Sequence, residues 1–431
     1  KQTRSKHDDN DHDQCKIQNE CKDVCVCAQT TTTTTVSTGT DLGGGIVTRT
    51  DVTDLAGLAL DVRDVVEQLG QNDIREATEY YNQGRNGKYA LAKLMTDQHQ
   101  HTSTSLQYSM PHLFHLLGLS DMDANEIKGQ EGYATTIING RIANTQQELT
   151  GEAILTLVMW MASVSYLYHG VDQCQKATQA DNPDLIELAG GGLDEFMALW
   201  IGRNQNVASE KGDSLYAFTQ EMGNLFGQND PEAHVNTQLK LLYEEGAGYL
   251  AAPDACRPSS RTAEKLYGVA NRMMSQASVV LVQALLSSIV ENNHEAMKIY
   301  SLALIPQTSM CRATVYARLK EDLVDVGVIQ DGKTLTTVGD LQSLYPCLGI
   351  SCTDVGAYKT DKLAECADPP GYFPLATYTP TTDVREEAQI DLDIYQIELL
   401  TKMDAKNWAW MIYSHGRNSL RPRDSSTDPV E

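Results

Sequence analysis

Positive charge is scarce in this sequence. Lys and Arg number 34 against 58 Asp and Glu, for a net charge of −24. Binding to phosphate backbones needs clustered cations, so nucleic acid is excluded as a partner, and anionic membrane surfaces are disfavoured for the same reason. Long apolar runs are missing too. The longest, Ala153–Val164, is broken by Thr156 and Ser163 and falls short of the roughly 18 residues that cross a bilayer. No membrane span is therefore expected. The polar start at Lys1 is what a mature chain shows after removal of a leader. No Asn-x-Ser/Thr acceptor occurs, which removes N-linked glycan. Gly-x-Ser-x-Gly, phosphate-loop and dinucleotide signatures are lacking, and Gly43–Gly45 has no Lys-Ser/Thr partner. The expectation is a protein that is not an enzyme.

Strand-like alternation is rare, and the 13 Pro fall mostly between segments of helical period. From Asp51 onward, Leu55, Leu58, Val62, Val65, Val66 and Leu69 follow i, i+3, i+4 spacing and stop at Gly70. Comparable patterns fall near 151–178, 213–226, 232–250, 261–291, 309–326 and 384–402. The fold class expected is all-α.

A repeat runs through these helices. Gly-Arg-Asn closes a short aromatic-bearing segment at 84, 202 and 416, and Ala303 stands at a fourth such place. The aromatics are Tyr81, Trp200, Tyr300 and Tyr413. A terminal Gly is explained by a left-handed helix cap, whereas a repeated Arg-Asn points to shared ancestry. We expect tandem helical repeats of roughly a hundred residues, longer than common solenoid units. Repeats 1 and 2 occupy 51–255, repeats 3 and 4 occupy 256–420, and a polar tail covers 421–431.

Residues 1–50 differ. Residues 1–29 are polar and Cys-rich. Thr30, Thr31, Thr32, Thr33, Thr34, Thr35 and Val36 form a β-branched run, with Leu42, Ile46 and Val47 beyond it. Such runs favour extended backbone, so an extended N-terminal arm is expected. Residues 28–50 would contact another copy of the chain, and Gly43–Gly45 would permit close approach to that partner. The Thr run also suits O-linked sugar.

The ten Cys are Cys15, Cys21, Cys25, Cys27, Cys174, Cys256, Cys311, Cys347, Cys352 and Cys366. Their even number and largely polar surroundings suit disulfides in an oxidising compartment. The first four are expected to form an N-terminal knot. Cys347 and Cys352 can pair with each other or with Cys311 and Cys366.

Three groups have metal-ligand chemistry. Asp9, Asp11, Asp13 and Glu20 follow a calcium-loop spacing, but Gln14 stands where the turn wants Gly. A solvated acidic run is the competing reading. Glu291-x-x-His294 would set two ligand types one helical turn apart. Only one clear copy exists, so a surface pair competes. His112-x-x-His115 would share a helix face and suit a borderline metal, against an ordinary surface loop.

Four stretches, in order, carry a likeness to a known family. They are Glu79–Asn86, Asp194–Gly202, Ser214–Gly227, and the helix Val279–Val290 leading into Glu295–Tyr300. Together they resemble the low-iron-inducible periplasmic (iron-assimilation) proteins of algae across most of 51–420. The resemblance implies an extracellular or periplasmic location and a role in iron uptake. Phe196, Met197 and Met297 depart from its acidic and small positions. The expectation is a secreted, self-assembling filament or surface-layer subunit, a homopolymer joined through its arm. The alternative is capture of iron, or of another metal such as calcium, outside the cell.

Overall fold

The structure is a computed structural model. It describes residues 39–87, 89–94, 133–180, 184–257, 260–308, 313–330 and 332–358, together with Cys366 and scattered positions between 390 and 413. The chain divides at Thr38 and Gly39 into two units, and all described residues belong to the second.

The described residues are all-α apart from one two-stranded antiparallel hairpin, β1 (Asp41–Gly43) and β2 (Ile46–Val47). The helices in chain order begin with α1 (Thr53–Ala56), α2 (Leu58–Gly70), α3 (Ile74–Gln83) and α4 (Tyr133–Ala143). Then come α5 (Thr150–Ile154), α6 (Trp160–Ala180), α7 (Asp184–Ile201), α8 (Leu215–Leu225) and α9 (His234–Leu250). The last are α10 (Thr262–Glu291), α11 (His294–Leu304), α12 (Ala313–Leu319), α13 (Thr334–Gln342), α14 (Tyr345–Leu348) and α15 (Cys352–Val355). A π-helical turn, Leu155–Met159, joins α5 to α6, and a second, Lys320–Asp325, follows α12.

The core is built on α6, α7 and α10. Helices α6 and α7 meet backbone to backbone. A Cβ on Gly192 would lie 2.6 Å from the Tyr166 carbonyl oxygen, and one on Gly170 would lie 2.8 Å from that of Ala189. Only glycine permits such a crossing. Helix α10 packs on α6 through Trp160, whose indole N–H donates to the Ala277 carbonyl at 2.8 Å. Tyr168 donates to Asn271 at 2.6 Å beside it. Trp160, Tyr168 and Leu281 are fully buried, each contributing about 2–3 kcal/mol by leaving water.

Thr150–Ala180 and Thr262–Glu291 are long and apolar enough to cross a membrane, with mean hydropathies of 1.4 and 1.7. Length and composition alone thus pick out two helices that a search for unbroken apolar runs passes over. Ser, Thr and Gly interrupt a run but lower a helix's average hydropathy far less than charged residues do. The two apolar windows are 94% and 78% buried inside the molecule, as core helices are.

Helix ends follow local chemistry. Asp73 caps α3 by accepting from the Glu76 amide, and Asn293 caps α11 by accepting from that of Ala296. Ser351 and Asp354 form a reciprocal capping box on α15. Gly84 and Gly202 end α3 and α7 with φ of +67° and +73°. The described helices do not by themselves show the repeat. Helix α3 is short, α7 is long, and α11 runs on into a 3-10 turn, Ile305–Thr308, with no glycine. Tyr81, Trp200 and Tyr300 are buried as expected, but Tyr413 is 69% exposed.

The Arg-Asn that follows Gly84 has its own local cause. The backbone amides of Arg85 and Asn86 both donate to Asp61 Oδ1 at 3.0 Å. The Asn86 side chain bridges Asp61 and Asp64. After Gly202 it is Gln205 that holds the loop, through the carbonyls of Asn206, Ser209 and Lys211.

Candidate functional site

The segment read as an extended arm is corrected by the structure over residues 39–50. Leu42 and Ile46 are buried in the core of their own chain, while Val47 is 63% exposed. The first two are therefore unavailable as anchors on a neighbour. Gly43–Gly45, with φ of +76°, +55° and +87°, make the hairpin turn. The close approach they permit is to their own chain, since the Gly44 amide donates to the Gln205 carbonyl at 2.7 Å. A Cβ on Gly43 would fall 2.2 Å from that same oxygen. The β-branched residues do favour extended backbone here, but the chain folds back on itself at the glycines to bury Leu42 and Ile46. Thr30 to Thr35, and Val36, lie outside the described residues.

The hairpin is fixed at both ends. At its open end, Thr40 and Thr48 exchange bonds of 2.9 Å. Thr40 Oγ1 also accepts from the Val52 amide and donates to Asp51. The hydrogen bonds that Asp51 receives from Thr53 and Thr40 hold its carboxyl below the usual range. On the far side, Asp194 of α7 is buried. Its Oδ2 accepts from the Arg49 amide at 3.1 Å, and from the Thr50 amide and hydroxyl at 2.7 Å each. Its Oδ1 accepts from Tyr243 of α9 at 2.7 Å. One carboxylate thus clamps the chain leaving the hairpin to two core helices.

A second polar centre lies under α11. Glu152 of α5 is half-buried, and its carboxyl receives the Tyr300 hydroxyl. Arg141 of α4 lies beside it. Arg141 donates to the Glu148 carbonyl and the Thr150 hydroxyl, and it reaches Glu295 at 3.7 Å. Burial pushes the Glu152 carboxyl up to about 7, and the carboxylates of Glu221, Glu148 and Glu291 add to this against the opposing Arg141. Glu221 is raised by its own desolvation and by Glu210 and Glu291. In α7, burial and the adjacent Asp194 push Glu195 up to about 8. None of these three raised carboxyls has a local signal in the sequence, because burial, the first cause of each, is set by long-range packing.

Of the metal candidates, Glu291 and His294 are described. They do not sit on one helical turn. Glu291 ends α10, Asn292 adopts a left-handed conformation with φ of +56°, and an exposed His294 opens α11. Glu291 instead accepts from Ser287 and from Tyr358 at 2.8 Å. Among the described residues, no three His, Cys, Asp or Glu side chains converge to hold a metal ion. Asp9, Asp11, Asp13, Glu20, His112 and His115 lie outside the described residues.

Two disulfides are described, Cys174–Cys256 and Cys352–Cys366, and Cys347 is also disulfide-bonded. The second bridge removes the Cys347–Cys352 alternative. Cys174 and Cys256 are buried, unlike the polar surroundings read from sequence, since Cys174 sits on the inward face of α6. Cys15, Cys21, Cys25, Cys27 and Cys311 lie outside the described residues. Compared with protein-family models, curated proteins and solved structures, the chain matches none.

Proposed function

We propose that this chain is a non-enzymatic secreted subunit that associates with copies of itself through its N-terminal unit, Lys1–Thr38. The observation that carries this is the root of that unit. The chain divides after Thr38, and the twelve residues that follow are clamped to the core through Asp194 and Gln205. A segment that recruits a neighbour needs a fixed attachment point on its own subunit, because slack there lowers its effective concentration at the partner. The linker proposed here is thus shorter than residues 1–50. Its Thr run remains the place for backbone pairing or O-linked sugar.

The disulfides support an oxidising location, extracellular or periplasmic. The test is light scattering and negative-stain imaging of the full chain and of a chain lacking residues 1–38. The full chain should form concentration-dependent linear polymers, and the truncated chain should remain a monomer. Identical polymers from both would remove the N-terminal unit as linker. A full chain that stays monomeric throughout would end the assembly reading. Iron capture, implied by the algal resemblance, would then be examined by ferric titration of the full chain.

A further inference from the structure

We propose that the contact between Glu152 and Tyr300 is a proton-dependent latch holding α11 against the start of the long core helix. The geometry places it at a junction with several unusual elements. Leu149, immediately before α5, takes a left-handed conformation with φ of +62°. One turn after Glu152 the helix widens into the π-turn Leu155–Met159, an irregularity frequent at functional positions. Both π-turns pack against α11. Helix α11 therefore rests on two irregular turns, and Tyr300 is its hydrogen-bonded link to Glu152.

The groups around Glu152 make its ionisation unfavourable. From α2, Val66 lies against the neighbouring Gly151. Arg141 comes from α4, Glu148 from the preceding loop, Glu221 from α8 and Glu291 from the end of α10. Tyr300 and Glu295 come from α11, and the Thr156 hydroxyl of the π-turn is turned back onto the Glu152 carbonyl at 2.8 Å. Three carboxylates thus stand against one guanidinium, and that guanidinium is shared with Glu295.

The proton is held up to about pH 7, well above the range of an unfolded carboxyl. A raised pKa in the folded state, caused first by burial, means that the closed arrangement around Glu152 is most stable at low pH and loses that stability as pH rises through that value, even though an ionised carboxylate is by itself the stronger acceptor for the Tyr300 hydroxyl. Once ionised, the carboxylate gains by moving towards water, away from its buried partner.

The experiment is amide hydrogen exchange of the full chain at about pH 5.5 and about pH 8.5, corrected for intrinsic rates. Protection of residues 150–159 and 294–304 should fall by about tenfold or more at the higher pH, and α13 should change far less. Glu152→Gln, which keeps shape and removes titration, should abolish the difference. Tyr300→Phe should show reduced protection already at the lower pH. Unchanged protection in the wild type would overturn the latch. So would the same pH response in Glu152→Gln, or full low-pH protection in Tyr300→Phe.

Discussion

Asp194 serves four donors with two oxygens, and its replacement strands several of them in a buried place. Asp194→Asn should cost about 2–4 kcal/mol, since a buried donor without an acceptor carries its full desolvation penalty. Denaturant unfolding measures this directly, and a loss below the error of the extrapolation would show that water serves the same donors. Glu195, next in sequence, makes a different prediction. Its carboxyl is raised to about 8 by burial and by Asp194. The native state therefore binds its proton more tightly than the unfolded chain, and stability is lost as pH climbs towards that value. Thermal melts at about pH 5.5 and about pH 9 should show a drop in the wild type that is smaller in Glu195→Gln.

At the scale of elements, the α6–α7 crossing and the Cys174–Cys256 bridge are the most exposed to test. Gly192→Ala places a methyl within 2.6 Å of backbone atoms of α6. The two helices must separate, at a cost of about 2–4 kcal/mol. Replacing Cys174 and Cys256 by Ala frees a loop with sequence separation 82, which should cost about 3–5 kcal/mol on loop entropy alone. Calorimetry of each variant checks both.

Elements were legible where a helix buries one face. The periodicity over 213–226, 232–250 and 261–291 matches α8, α9 and α10 within two residues. It failed where a tertiary partner decides the outcome. The β-branched and glycine residues of 39–50 read as an extended arm, because nothing local reveals that Leu42 and Ile46 have a pocket in their own core. Glu291 and His294 read as one helical turn, although Asn292 and Asn293 carry the signal of a break, since Asn readily takes a left-handed helix end and caps the next helix. The raised carboxyls were invisible, since Glu152 and Tyr300 are separated by 148 residues.

For the molecule as a whole, the net charge of −24 sets the conditions of both folding and association. Like charge opposes a compact state and opposes the approach of a second copy. Raising salt from roughly 20 mM to roughly 500 mM shortens the screening length severalfold. It should therefore raise the melting temperature and increase any self-association. Light scattering across that range measures the second effect, and a fall in association with salt would mean that oppositely charged patches join the copies.

The hairpin root has a mechanical consequence. Tension applied at Gly39 would be carried along the chain. It meets Thr40 with its ties to Thr48 and Val52, then buried Leu42, then the Gly44–Gln205 bond, and finally the Asp194 clamp. Because Thr40 is also tied to Thr53 at the start of α1, a pull on the N-terminal side is shared between these ties and the first helix rather than falling on any one of them.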